Sequence, residues 1–225
     1  MTTSLLDSVT IETAANPTVA VIWLHGLGAD GNDFVPIVRE LDLTGCPGIR
    51  FIFPHAPTMP VTANNGYVMP AWYDILGVDL VKREDEAGLR KSQLAIERLI
   101  DQQKTLGIPA DRIVLAGFSQ GCAMALQTGL RHPGKLAGLL CLSGYVPLNA
   151  HLAKERHVAN QTTPIFMAHG SSDSVIPMVR AEQSRDLLLA LGYPVEWHEY
   201  AMPHSVCPQE IGDIGKWFKN ILAAE

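Results

Sequence analysis

Apolar positions fall into two regimes along this chain: short unbroken runs, and longer stretches in which they recur every three or four residues. Val19 to Leu24 is a β-branched, wholly apolar run ending in His25-Gly26-Leu27-Gly28, which predicts a buried strand and a tight turn. Arg50 to Phe53 repeats the pattern and stops at Pro54. Leu89, Ile96, Leu99, Ile100 and Leu106 share one helical face, and Gly107 and Pro109 close that segment. Arg112 to Ala116 predicts the next strand, followed by the Gly117-Phe118-Ser119-Gln120-Gly121 turn and an Ala-rich helix from Cys122 to Leu130. Gly138 to Leu142 and Ile165 to Ala168 read as strands that run into Ser143-Gly144 and His169-Gly170-Ser171-Ser172-Asp173, both loop-forming. Val195 to Tyr200 predicts a last strand. From Pro208 onward, Ile211, Ile214, Phe218, Ile221 and Leu222 form the stripe of a closing helix.

Strands separated by helices of this length need crossover connections, so the fold class is α/β, a mainly parallel central sheet with helices on both faces. No repeat, low-complexity tract or linker divides the chain, and its 225 residues suit a single domain over 1–225. Hydrophobic residues make up 47% and charged residues 18%, enough for a sizeable core. The net charge of −6 and the lack of any basic cluster argue against a nucleic-acid partner. Cys46, Cys122, Cys141 and Cys207 have no metal-ligand or C-x-x-C spacing and read as buried free thiols. Met1 to Pro17 holds neither a basic nor an apolar leader segment. With unpaired cysteines, this predicts a cytoplasmic protein without stable membrane insertion.

The chemistry concentrates at the turns. A serine hydroxyl is a poor nucleophile at neutral pH and needs an adjacent base and donors for the oxyanion its attack creates. Gly117-x-Ser119-x-Gly121, between a strand and a helix, suits a sharp elbow that lifts Ser119 out of the sheet. A Ser119 that merely caps the helix is the competing reading. Asp173 follows in the loop after Ile165 to Ala168, where it could orient an imidazole or simply make an Asx-turn. His204, in Met202-Pro203-His204-Ser205 after the last strand, completes the order serine, acid, base. The other histidines precede the nucleophile, end its helix, or lie in polar loops or strands. His25-Gly26-Leu27-Gly28 is either an ordinary turn or the source of a second oxyanion donor, and we assign the N–H groups of Leu27 and Gln120 to that task.

With these residues in place the chain resembles the phospholipase/carboxylesterase family, the small α/β-hydrolases that include bacterial carboxylesterases and acyl-protein thioesterases. The resemblance rests on Leu24-His25-Gly26-Leu27-Gly28, Met69-Pro70-Ala71-Trp72-Tyr73-Asp74, Glu84-Asp85-Glu86-Ala87-Gly88, the Ser119 turn, Gly170-x-x-Asp173 with Val175-Ile176-Pro177, and Met202-Pro203-His204. Cys122 departs from the family, in which glycine is common at that position. The resemblance implies an α/β-hydrolase fold with no large lid domain, no metal and no cofactor. It also implies a small mobile loop around Trp72, Tyr73 and Asp74. Trp72, Tyr73 and Met69 are then expected to contact substrate, with core packing as the alternative for Trp72 and Tyr73.

Two insertions, Ala56 to Asp79 and Val146 to Thr163, are long enough to wall an acyl pocket. The first carries an apolar set and the second is mostly polar, which predicts a groove and a solvated rim. The expected reaction is hydrolysis of short-to-medium acyl carboxylic esters. Acyl-protein thioesterase and lysophospholipase activities are alternatives on the same residues, and an inactive binding protein is the alternative from another class. The expected partner is a small ester or thioester, and a homodimer is compatible with this reading.

Overall fold

The computed structural model describes residues 5–77 and 84–223. Nine strands are present among them: β1 Ser8–Glu12, β2 Val19–Leu24, β3 Ile49–Pro54, β4 Thr58–Val61, β5 Tyr67–Pro70, β6 Ile113–Phe118, β7 Gly138–Leu142, β8 Ile165–Gly170 and β9 Val195–Tyr200. The helices are α1 Ile37–Glu40, α2 Glu86–Thr105, α3 Gln120–Gly129, α4 Asn149–Glu155, α5 Met178–Ala190 and α6 Pro208–Leu222. Seven strands form one sheet in the order β1-β3-β2-β6-β7-β8-β9. Every pairing in it is parallel except β1 against β3.

The inner strands are apolar on both faces because both faces are covered. In β2, Ala20, Ile22 and Leu24 pack with Leu89, Ile96 and Met124 of α2 and α3, while Val19, Val21 and Trp23 pack with Phe51, Trp217 and Phe218 on the α6 side. Strand β6 lies between β2 and β7 near the middle of the sheet. Ser119 therefore emerges at its carboxyl end, flanked by the loops after β2, β7, β8 and β9. The carboxyl edge of a parallel sheet is where α/β proteins build sites.

Helix α2 is fixed at both ends. Asp85 caps its start by accepting from Gly88 N at 2.9 Å. At its end Gly107, at φ 93°, and Ile108 donate to Lys104 and Gln103 carbonyls at 3.1 and 3.0 Å. Leu106, expected on the apolar stripe, lies beyond the last turn and is exposed.

Several elements differ from expectation. Strand β1 and the hairpin β4–β5 were not foreseen, and α5 was not either: its buried positions are Ala181, Ser184 and Leu188, two of them too small or polar to mark a stripe. The segment 146–163 is not a solvated rim, because Val146, Leu148, Leu152 and Asn160 are buried and α4 packs on the core. Cys122 and Cys141 are buried free thiols, but Cys46 and Cys207 are only partly covered. Among the described residues no helix is long and apolar enough to cross a membrane, and no three metal-ligating side chains cluster.

Candidate active site

Ser119 sits between β6 and α3 with φ 56° and ψ −118°, a conformation costly for any residue with a Cβ. The surrounding glycines permit it. A Cβ on Gly117 would overlap the Gly121 carbonyl, and one on Gly121 would overlap the Leu24 carbonyl at the end of β2. The turn is anchored on the neighbouring strand, since Ser119 N donates to Leu142 O at 2.9 Å.

His204 Nε2 lies 2.9 Å from Ser119 Oγ, and His204 Nδ1 lies 2.6 Å from Asp173 Oδ2. A carboxylate can only accept, so Nδ1–H donates to Asp173 and Nε2 is left to accept the serine proton. Asp173 has a fully buried side chain. Its second oxygen, Oδ1, accepts from Val175 N and Ile176 N, both at 2.8 Å. The loop that carries His204 crosses β8 so closely that a Cβ on Gly170 would overlap the Met202 and Pro203 carbonyls. Phe118 lies against the His204 ring at 4.8 Å between centroids.

The amides of Leu27 and Gln120 have no protein acceptor among the described residues, and both residues line the same cavity as Ser119. Two histidines missed at the level of sequence brace the site, one behind the Leu27 turn and one behind Asp173. His25 Nε2 accepts from Ala56 N at 3.1 Å and its Nδ1–H donates to Gly26 O at 2.7 Å, which pins the turn that presents Leu27. Burial pushes this imidazole below the ordinary histidine range, in keeping with a neutral, two-way hydrogen-bonded ring. His169 is the second: its buried Nε2 lies 2.8 Å from Ile176 O and 3.3 Å from Asp173 Oδ2, bracing the acid from behind. The buried chain Asp-His-backbone has no local sequence signature, although His169 lies only four residues before Asp173.

The Gln120 side chain does a separate task. Its Oε1 accepts from Trp72 N and its Nε2 donates to Tyr73 O, each at 2.8 Å. Ser92 Oγ donates to Trp72 O, and Asp74 N donates to Asp85 Oδ2 at 2.9 Å. The segment 72–74 is thus tied down, not a free loop over the site.

Trp72 does not contact the cavity as expected. It is fully buried, with its indole N–H donating to His25 O at 2.9 Å. Met69 also lies elsewhere, on β5 beside Gly28, with Asn64 Nδ2 3.5 Å from its sulfur. Tyr73 does line the cavity, which has a volume of about 660 Å³. Its far wall is Ile75, Tyr145, Val175, Ile176, Val179 and Arg180. Of the apolar set expected to line a groove, Val61 is buried in the hairpin while Tyr67 and Val68 face outward; position 79 lies outside the described residues.

Residues 6–222 match the profile of the family described as phospholipase/carboxylesterase. The chain belongs to the phospholipase/carboxylesterase family. It is accordingly an enzyme of the carboxylic-ester hydrolase kind. Acyl-protein thioesterase 1 of Neurospora crassa is 42% identical over 218 residues, covering 91% of this chain and 87% of the relative. Its namesake from Yarrowia lipolytica is 40% identical, covering 95% and 96%. Among solved structures, Arabidopsis thaliana SOBER1 superposes with a TM-score of 0.85 at 30% identity, covering 91% of this chain and 99% of that one. Zea mays acyl-protein thioesterase 2 gives a TM-score of 0.85 at 26% identity, covering 96% and 99%. The family, its α/β-hydrolase fold and the lack of a large separate lid domain agree with the reading of the sequence.

Proposed function

We propose that this chain hydrolyses acyl thioesters and short-to-medium acyl carboxylic esters through an acyl-enzyme on Ser119, with His204 as base and Asp173 as its orienting acid. The observation that carries this reading is the hydrogen-bonded series Asp173–His204–Ser119 opening on a cavity lined also by Leu27 and Gln120, whose amides have no acceptor among the described residues. The sequence alone favoured oxygen esters as the main substrate; the names of the relatives at 40–42% identity move the weight toward thioesters.

Ser119 Oγ attacks the carbonyl carbon as its proton passes to His204 Nε2, and the imidazolium that forms is stabilised by the Asp173 carboxylate. The carbonyl oxygen becomes an oxyanion that accepts from Leu27 N–H and Gln120 N–H, and preorganised donors of this kind lower the barrier by about 3 kcal/mol each. Collapse of the tetrahedral species breaks the bond to sulfur or oxygen, and the departing group takes the proton from His204. Water then attacks the acyl-enzyme with His204 again as base, releasing the carboxylic acid and restoring Ser119.

An alkyl fluorophosphonate tests the reading. We expect one adduct on the peptide containing Ser119, no labelling of Ser119→Ala, and a loss of turnover on the order of 10⁶ in that variant. Thioester and oxygen-ester pairs with one acyl chain then rank the two bonds. Labelling confined to another serine, or wild-type turnover by folded Ser119→Ala, would overturn the proposal.

A further inference from the structure

The Asp173 carboxylate meets more than one imidazole. Its Oδ1 accepts from Val175 N and Ile176 N, and its Oδ2 accepts from His204 Nδ1. His169, near the carboxyl end of β8, brings a fourth N–H: its Nε2 lies 2.8 Å from Ile176 O and 3.3 Å from Asp173 Oδ2. A carbonyl oxygen only accepts, so Nε2 carries the proton. That proton is aimed chiefly at Ile176 O, and Oδ2 is the longer arm of a shared donor.

The rest of the His169 ring has no polar contact. Its Nδ1 is buried and has no partner among the described residues. A buried nitrogen without a partner costs free energy, and an apolar side chain of similar size would avoid that cost. What an apolar side chain could not supply is the Nε2–H, which faces the acid and the turn that holds it. The His169 and Asp173 side chains are both shut off from water, and in such surroundings a donor 3.3 Å from a carboxylate oxygen acts on it with little screening. Among the described residues no side chain other than these two histidines approaches the carboxylate.

We propose that His169 is a positioning residue that acts through Asp173: its Nε2–H helps fix the oxygen that receives His204 and draws off part of that oxygen's charge, which sets how strongly the acid holds the His204 imidazolium. This rests on the roles proposed above for Ser119, His204 and Asp173. The sign of the effect follows from the charge. Loss of the second donor returns charge to Oδ2 and favours the imidazolium. His204 must be unprotonated to accept from Ser119, so the rising limb of kcat/KM then moves to higher pH. Loss of positioning lowers kcat as well. A role confined to packing would lower the melting temperature and leave the limb where it is.

The test is the pH dependence of kcat/KM for one butyryl ester in wild type, His169→Leu and His169→Gln, with rates divided by the fraction of sites that a fluorophosphonate titrates. His169→Leu removes the N–H. We expect its limb to move up by about half a pH unit to one unit and its kcat to fall by about tenfold. Glutamine carries its amide nitrogen at about the reach of Nε2, so His169→Gln should recover most of both. A limb that stays in place in folded His169→Leu, or that moves equally in His169→Gln, overturns the proposal. His169→Leu also takes the donor from Ile176 O; if it does not fold, His169→Gln and wild type decide. The ring nitrogen chemical shifts of wild type should then place the His169 proton on Nε2 at neutral pH, and a proton on Nδ1 overturns the proposal. If wild type turns over no ester or thioester, the reading of Ser119 fails instead. The downfield Nδ1–H resonance of His204, which reports its bond to Asp173, still decides the role of His169 without turnover: it should shift in His169→Leu and return in His169→Gln, and an unmoved resonance in folded His169→Leu overturns the proposal.

Discussion

The two halves of the cavity are built differently. On the side of Ser119, each polar group that faces the reacting atoms is held by a second group whose own position is fixed: Leu27 by His25, Gln120 by Trp72 and Tyr73, His204 by Asp173, and Asp173 by two amides and His169. On the opposite side, Val175 and Val179 are 61% and 56% exposed, and their wall is apolar contact with few directional bonds. On the proposed mechanism the first half needs its atoms within a fraction of an ångström because charge would develop there; the second needs only volume and apolar surface. Damage to the first half should therefore appear in kcat and be large, and damage to the second should appear in KM and be small.

The largest effect short of removing Ser119, the proposed nucleophile, is expected from Asp173→Asn. The two amides of Val175 and Ile176 will hold the Asn carbonyl oxygen where Oδ1 is now, which turns the NH₂ group toward His204 Nδ1. A donor facing Nδ1 forces the proton onto Nε2, the atom that must accept from Ser119. We expect kcat to fall by about 10⁴ with KM nearly unchanged, as in other triads given the wrong tautomer. Steady-state kinetics alongside a thermal melt checks this, and a loss below a hundredfold in a folded variant breaks the comparison.

The same division explains what the sequence made legible. The inner strands are continuous apolar runs and the elbow needs glycines at fixed offsets, so β2, β6, β7, β8 and the Ser119 turn leave strong local marks. Asp173 and His204 could be found from chain order, because the loops that carry them follow strands in sequence as well as in space. Trp72 was misplaced for a physical reason: an indole has both a large apolar surface and one donor, which suits a binding wall and a core equally, and the acceptor that decides for the core is the distant His25 carbonyl. Tyr145 was passed over because its partner, Tyr73, is 72 residues away. Strand β1 is half-buried with no apolar run, and α5 turns Ala181 and Ser184 inward, so neither carries a periodic signal. His25 and His169 could be seen only as histidines at strand ends, since their partners are backbone atoms.

A middle-sized effect should follow from Gln120→Leu, which keeps the Gln120 N–H but removes the side chain that binds the 72–73 backbone. Trp72 N and Tyr73 O would be left buried and unpaired, each costing about 1–3 kcal/mol. Both kcat and the melting temperature should fall, kcat by about tenfold to a hundredfold as the elbow loses its brace. Gln120→Glu keeps an acceptor for Trp72 N but turns a buried carboxylate oxygen onto the Tyr73 carbonyl, so it should cost at least as much as Gln120→Leu. A variant in which stability falls and kcat holds would mean that this side of the cavity tolerates displacement, contrary to the comparison.

The smallest effect is expected at the apolar wall. Val175 and Val179 are largely exposed in the free enzyme, so Val175→Ala/Val179→Ala removes little that the fold depends on and should leave the melting temperature within about 1 °C. An acyl chain long enough to reach them would cover both side chains, and the truncation then forfeits part of that burial at about 0.8 kcal/mol per CH₂. KM for hexanoyl and octanoyl esters should rise by about fivefold, with kcat unchanged and with acetyl esters unaffected, because a two-carbon acyl group does not extend to that wall. The measurement is kcat and KM across an acyl series in wild type and the double variant, with the longer esters kept below the concentration at which they form micelles. The sign of the chain-length dependence is the informative part. If acetyl and octanoyl esters lose equally, the valines act on Asp173 through the 173–177 turn, which also donates two amides to its carboxylate, and the wall belongs to the rigid half of the site. If only the long esters lose, the pocket side is a surface of graded apolar contact, and the two halves are separable as their hydrogen bonding indicates.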